Sequence, residues 1–272
     1  MPRILSSVLI SLLLFAPSAT AASDLTDGRT IETNPAVEIP AVVMGALLWS
    51  MPMLIESELP NPSLDRTYDR GKVNPLDRAM IGAPLRGARL TSDILSGAVP
   101  VLVLAGTLAQ LVHKDWEPVL EDAIIILEAM VLTGITNQVV RHAFERPRPY
   151  MYLDGHQEVR FDNAEDVHSF FSGHTATAFA AVTSFSMLAT YRGRSKVWTG
   201  LSWGLGLGLG VGMGAFRVLS RDHHLTDVVV GAAVGTAFGL LMPWLHVKGK
   251  AMGISDLRPV LGPRHLGVGL RF

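Results

Sequence analysis

Residues 197–216 read VWTGLSWGLGLGLGVGMGAF, and the fold turns on how that stretch is interpreted. Gly204, Gly206, Gly208, Gly210, Gly212 and Gly214 alternate with Leu, Val and Met. Period 2 is the period of a strand. Yet the stretch runs 20 residues without Asp, Glu, Lys or Arg, and a lone strand cannot cross lipid because its backbone groups find no partners there. On a helix, Gly204, Gly208 and Gly212 form one stripe and Gly206, Gly210 and Gly214 its neighbour. Such small-residue stripes let helix backbones approach closely. The stretch is therefore read as a tightly packed internal membrane helix, with the glycines as a packing device and no phosphate-cradling role.

The rest of the chain agrees. Ile94–His113 (20 residues), Val167–Tyr191 (25) and Val228–Val247 (20) are equally free of formal charge, and Ala123–Val140 (18) is interrupted only by Glu128. About 20 residues span the hydrocarbon core as a helix. A large soluble helical core is the competing reading, and repeated charge-free runs of this length weigh against it. Ile39–Ile55 is shorter, 17 residues, and carries Pro40 and Pro52. The expected fold is all-α: a polytopic membrane helical bundle with five or six spans and its chemistry at the helix ends.

Composition sets the outer limits. The 272 residues are 49% apolar and only 17% charged, with a mean hydropathy of +0.33. That excludes a disordered tail, an acidic scaffold or a coiled coil. A net charge of −1 offers no basic field for nucleic acid. The absence of cysteine removes disulfides, thiol nucleophiles and thiolate metal sites. Arg3, the apolar Ile4–Ala16 and the small-x-small Ala19-Thr20-Ala21 read as a secretory signal peptide over 1–21. Residues 22–90 form an N-terminal segment, 91–247 the membrane core and 248–272 a polar tail, in which Pro259–Phe272 has the alternation of a small hairpin.

Three polar clusters lie at helix boundaries, where membrane proteins keep such residues for work. The first is RHAFERPRP (141–149), the second Ser172-Gly173-His174, the third Arg217 to Asp227. Arg141, Arg148 and Arg217 supply three guanidinium groups from separate segments, and such forks match phosphate oxygens bidentately. Ser172 and Gly173 precede an apolar helix, whose N-terminus favours an anion; His174 opens it. His223 and Asp227 stand at i, i+4, so on a helix the carboxylate would hold one ring nitrogen and leave the other free to attack an electrophile. Each cluster alone has a plainer reading: interfacial anchors, an N-cap, a structural pair. Together, in this order, they point to phosphoryl transfer. His224 is read as a neighbour of the nucleophile only and His168 as a weaker candidate; Glu128 is either functional or an interhelical polar partner.

These three motifs resemble the type 2 phosphatidic acid phosphatase superfamily, related to class A acid phosphatases and vanadium haloperoxidases. Its pattern is Lys-x6-Arg-Pro, Pro-Ser-Gly-His, then Ser-Arg-x5-His-x3-Asp. Here the three read Arg141-x6-Arg148-Pro149, Phe171-Ser172-Gly173-His174 and Phe216-Arg217-x5-His223-x3-Asp227, so Arg141, Phe171 and Phe216 depart from it. The likeness covers about Glu121 to Trp244. It implies His223 as nucleophile through a phosphohistidine, Asp227 as its orienting carboxylate, and His174 as acid then base. Arg141, Arg148, Arg217 and the Ser172/Gly173 donors would hold the phosphoryl oxygens, with no metal or cofactor. The implied substrate is a lipid phosphate or diphosphate drawn from membrane lipids; soluble phosphomonoesters, haloperoxidation and a degenerate, non-catalytic site are the alternatives. The basic loop Arg192–Lys196 is expected in the cytoplasm. That makes the protein a multi-pass protein of a bacterial inner membrane with a periplasmic site, provided 39–55 lies at the interface or re-enters without crossing.

Overall fold

The structure is a computed structural model that describes residues 21–24, 29–55, 68–112, 115–153, 164–248, 257–262 and 265–270. The expected signal peptide falls almost wholly outside these residues. Six long helices make the body: α1 (Pro35–Ile55), α2 (Arg86–Leu108), α3 (Trp116–Phe144), α4 (Gly173–Tyr191), α5 (Lys196–Leu219) and α6 (Leu225–His246). Of the membrane-length segments, Pro35–Pro52, Arg86–Val112, Trp116–Tyr152 and Leu225–His246 are long and apolar enough to cross a bilayer. Val101, Leu102, Leu205, Val211 and Val229 point outward, as lipid-facing side chains do. This is a polytopic membrane helical bundle.

α4 is the axle. Most of its residues are buried, and these are mostly small: Ala176, Ala178, Ala180 and Ala181 with Thr175, Thr183, Ser184 and Ser186. Small side chains let the neighbouring backbones come close, which replaces the hydrophobic drive missing in lipid. Gly231, Gly235 and Gly239 of α6 face the carbonyls of Ser172, Ala176 and Ala180, and a methyl group at any of them would collide. The six-glycine stretch behaves differently from expectation. Gly206, Gly210 and Gly214 meet Val182, Phe179 and Val228, but Gly204, Gly208 and Gly212 have nothing within 4 Å. One stripe packs and the other faces outward, so α5 is a peripheral helix. Helical period fixes two stripes; only the neighbours decide which one is covered.

The helices alternate in direction. α2 starts beside the α5–α6 turn, where Arg89 pairs with Asp222, and α3 returns to that same end. α1 runs the full height of the bundle. Near its start Glu38 lies 3.6 Å from His246 at the end of α6; toward its end Trp49 reaches the cavity described below and sits against Gly134 of α3. Beside the interfacial or re-entrant reading of 39–55 stands a longer helix, of which Pro35–Pro52 is long and apolar enough to cross. The helix begins at Pro35, before the charge-free run, and absorbs both prolines, which membrane helices tolerate when neighbours satisfy the freed groups. Six traverses put the chain's two ends together. β1 (Ala21–Asp24) and β2 (Thr30–Thr33) form an antiparallel sheet with β3 (Val247–Lys248), Ile31 pairing with Val247. Arg29 lies 5.0 Å over the Tyr191 ring, so this sheet shares the far end with the 192–195 loop. The expected tail hairpin is present as β4 (Leu257–Gly262) and β5 (His265–Leu270), in the register Gly262↔His265.

Candidate active site

The near end is built by turns that glycine does not make. Glu145 ends α3 with φ 35°, and Arg221 turns the chain between α5 and α6 with φ 60°. Left-handed backbone at a non-glycine residue costs about 1–2 kcal/mol and is held only where the surroundings determine it. The first turn throws Arg146–Arg148 across the helix ends; the second brings Asp222 and His223 under them.

A cavity of about 210 Å³ opens there, lined by Arg141, Arg148, Gly173, His174, Arg217 and His223 among others. Six of the eight residues expected from sequence thus converge. The other two do not line it. Ser172 is the N-cap of α4; its hydroxyl lies 2.9 Å from Thr175 Oγ1 and accepts from the Thr175 amide at 3.4 Å. Its own helix uses that oxygen, so it is not presented to a ligand. Asp227 is also fully buried. Its Oδ2 accepts from the His224 amide at 2.8 Å and from Ser169 Oγ at 2.5 Å, while Oδ1 pairs with Arg146. It is the third helical residue of α6, and its side chain caps that helix.

His223 itself precedes α6, so the shared helix face expected for His223 and Asp227 does not form. The Asp227 carboxylate is 3.9 Å from His223 Nδ1. Nδ1 instead lies 2.7 Å from the Ser169 carbonyl. A carbonyl only accepts, so Nδ1 carries the proton and Nε2 keeps a free lone pair. Asp227 acts one step back, by holding the Ser169 hydroxyl. Burial, then the Arg217 and Arg148 guanidinium groups and His174, pushes His223 well below the usual imidazole range. Its surroundings thus favour the neutral ring.

The arginines are fixed by carboxylates that sequence reasoning missed. Asp222 touches three of them: Arg89, Arg148 (3.3 Å) and Arg217 (3.3 Å). Burial alone would raise its carboxyl, but Arg217, Arg148 and Arg89 hold it below the ordinary carboxylate range. Asp77, in the one-turn helix Pro75–Arg78, accepts from the Thr226 amide at 3.0 Å and pairs with Arg146 at 2.7 Å. Burial opposes its ionisation, yet hydrogen bonds from Thr226, Arg146 and Asn74 lower its pKa to about 2. Asn137 donates to the Phe171 carbonyl at 2.6 Å and so fixes the residue standing in the family's proline position. Glu165 accepts from Arg148 at 3.0 Å and lies 3.9 Å from Arg141. Its half-exposed carboxylate sits where the two guanidinium groups would receive an anion. Arg146 was visible in the first motif, but nothing in its spacing separates it from Arg148. His168 lines the cavity, and His224 lies outside it with Nε2 3.1 Å from the Pro147 carbonyl.

The histidines give the bundle a pH profile. Burial, then Arg146, lowers His224 to about 4, and His223 is lowered too. Below pH 6.5 the unfolded chain takes up protons at both positions while the folded chain does not. The contribution of these two positions is therefore full above about 6.5 and declines as pH falls toward 4, by about 1.4 kcal/mol per pH unit for each proton. Thermal unfolding of the detergent-solubilised protein between pH 8 and 4 checks this. A pH dependence of the midpoint between 6.5 and 4.5 that is the same in His224→Gln as in the wild type would contradict it.

The assembly is a membrane bundle with an arginine-lined anion cavity and two imidazoles at one mouth. Residues 122–250 match the PAP2 superfamily. The chain is similar to a crystal structure described as the first transmembrane PAP2-type phosphatidylglycerolphosphate phosphatase from Bacillus subtilis, with 18% identity, a TM-score of 0.44, and coverage of 76% of this chain and 94% of that one.

Proposed function

We propose that the protein is a metal-independent phosphatase that hydrolyses a lipid phosphate or diphosphate through a phosphohistidine. The observation that carries this is the cavity itself. Its mouth holds Arg141, Arg148, Arg217, His174 and His223, and its wall continues through Trp49, Pro100 and Met130 of α1, α2 and α3. A head group with phosphate and an apolar tail fits both halves. In the first step His223 Nε2 attacks phosphorus, the P–O ester bond breaks, and His174 gives its proton to the leaving oxygen. In the second, His174 takes a proton from water, the oxygen attacks phosphorus, and the P–N bond breaks to free His223 and phosphate. The arginines and the Gly173 amide stabilise the equatorial oxygens. Hydrolysis of phosphatidic acid, phosphatidylglycerolphosphate, an isoprenyl diphosphate and p-nitrophenyl phosphate, with and without chelator, tests this reading. Turnover of p-nitrophenyl phosphate alone supports the soluble-ester alternative; turnover lost with chelator and restored by a divalent cation contradicts the mechanism.

Glu165 competes with substrate for two guanidinium groups. Glu165→Gln is expected to tighten inhibition by vanadate, a mimic of pentacoordinate phosphorus, by about 2–5-fold, as loss of one partly exposed charge contact would. Weaker inhibition would show that Glu165 instead supports the arginines.

We place the site on the periplasmic face of a bacterial inner membrane, supported by the basic loop at the far end. Arg192 there is buried against Glu121 and Asp122, so Arg194 and Lys196 carry the orientation. Residues 29–34 share the far end with that loop, so in this reading they lie on the cytoplasmic side, whereas a signal peptide cleaved after Ala21 would export them. Single cysteines decide it against a clean background. Lys72→Cys, at the site end, is expected to react with an impermeant maleimide in spheroplasts, and Ser195→Cys to stay protected. The reverse pattern supports export of the N-terminus and a cytoplasmic site.

A further inference from the structure

Glu128 interrupts the apolar run of α3, and the chemistry above does not use it. In the fold it meets Glu38 from the first turn of α1 and His246 from the last turn of α6, at the end of the bundle away from the cavity. His246 Nε2 lies 3.4 Å from Glu128 Oε2 and 3.6 Å from Glu38 Oε1, and one donor atom from each residue lies within 4.8 Å of the other two. His246 Nδ1 is 2.9 Å from the Met242 carbonyl. That carbonyl takes the ring proton, so neutral His246 presents the Nε2 lone pair to two carboxylates. Oε2 of Glu38 and Oε2 of Glu128 are sealed from solvent without a hydrogen-bond partner. Three electron-rich groups facing one another inside a membrane protein call for a metal ion or a proton between them.

A metal ion fits this spacing. Ligands about 2.0–2.1 Å from a tetrahedral centre stand roughly 3.3–3.4 Å apart, close to the two distances from His246 Nε2. The Nδ1-to-carbonyl bond is the support usually found behind a metal-bound imidazole, and the Asn34 amide donates to Glu38 Oε1 at 2.9 Å as second support for a ligand. We propose that Glu38, Glu128 and His246 bind one divalent transition-metal ion of the zinc class, which ties α1, α3 and α6 together. One nitrogen and two carboxylates suit zinc or manganese rather than a soft, thiolate-seeking ion. The role is structural: the site lies at the opposite end of α6 from His223, and it does not rest on the phosphatase reading.

The test uses the full chain in detergent, stripped with chelator and titrated with Zn²⁺, then with Co²⁺ as a spectroscopic probe. The expected result is one Zn²⁺ per chain, a melting temperature that climbs with free Zn²⁺, and visible Co²⁺ bands. Glu128→Gln and Glu38→Gln each weaken Zn²⁺ binding at least tenfold and abolish the thermal response. His168→Gln, at the other end of the bundle, keeps both, and the stripped protein keeps its activity below its melting temperature. If Glu128→Gln does not fold, Glu38→Gln, at the start of α1, carries the test alone. No binding at hundred-micromolar Zn²⁺, or binding unchanged in the Glu38→Gln protein, overturns the proposal and leaves a protonated His246 between the two carboxylates.

Discussion

A His223→Ala protein is expected to fold, insert and fail to turn over, with kcat lower by about 10⁴-fold or more, the scale on which a lost nucleophile acts elsewhere. The side chain makes one hydrogen bond, to the Ser169 carbonyl, and caps no helix, so its removal spares the scaffold. Asp227→Asn is expected to do the opposite. The carboxylate reaches His223 only through Ser169, but it caps α6 and pairs with Arg146. Its loss costs stability first and leaves measurable, slowed turnover, because the Ser169 carbonyl still fixes the ring. Single-turnover quench on the wild type is expected to trap acid-labile phosphate that is absent from His223→Ala. Wild-type turnover by His223→Ala removes the phosphohistidine from the mechanism.

The second large effect is at Asp222, where one buried carboxylate serves Arg89, Arg148 and Arg217 and accepts from Ser220 at 2.7 Å. Asp222→Ala leaves two deeply buried guanidinium groups without their shared partner. Breaking a buried pair from one side costs about 3–5 kcal/mol, on the order of 10 °C in melting temperature for a domain of this size. The remaining activity is expected to show a raised KM, since Arg148 and Arg217 lose the anchor that holds them toward the cavity. Bound phosphate is expected to recover part of the melting temperature by supplying the missing negative charge. A melting temperature within a degree or two of wild type would show that the arginines do not depend on Asp222.

The residues that line the cavity were legible because their types are rare at membrane helix ends and recur at fixed spacing. Arg141, Arg148, His174, Arg217 and His223 all line one cavity. Their supports were not legible. Asp222 sits inside the x5 gap of the third motif, and its partners come from α2, from the segment after α3 and from α5; no local period links them. Asp77 comes from a punctuated loop whose composition says only that it is polar. Ser172 and Asp227 carried the right letters, but their oxygens cap helices, a choice made by backbone geometry. The start of α1 was not legible because the charge of Glu38 shortened the apparent run, and the imidazole that answers that charge lies at the other end of the sequence.

The pairing of β2 with β3 has a consequence for synthesis. Neighbouring helices can dock as each hairpin leaves the translocation machinery, but Thr30 and Ile31 find Lys248 and Val247 only when the end of α6 has been made. Until then α1 has its α3 face to lie against and lacks its partner at the far end. Ordering the intervening loop is a cost that long-range contacts repay only at the end. The bundle is thus a ring whose clasp closes last, and a chain interrupted before residue 247 would hold a nearly complete cavity on an unfastened frame.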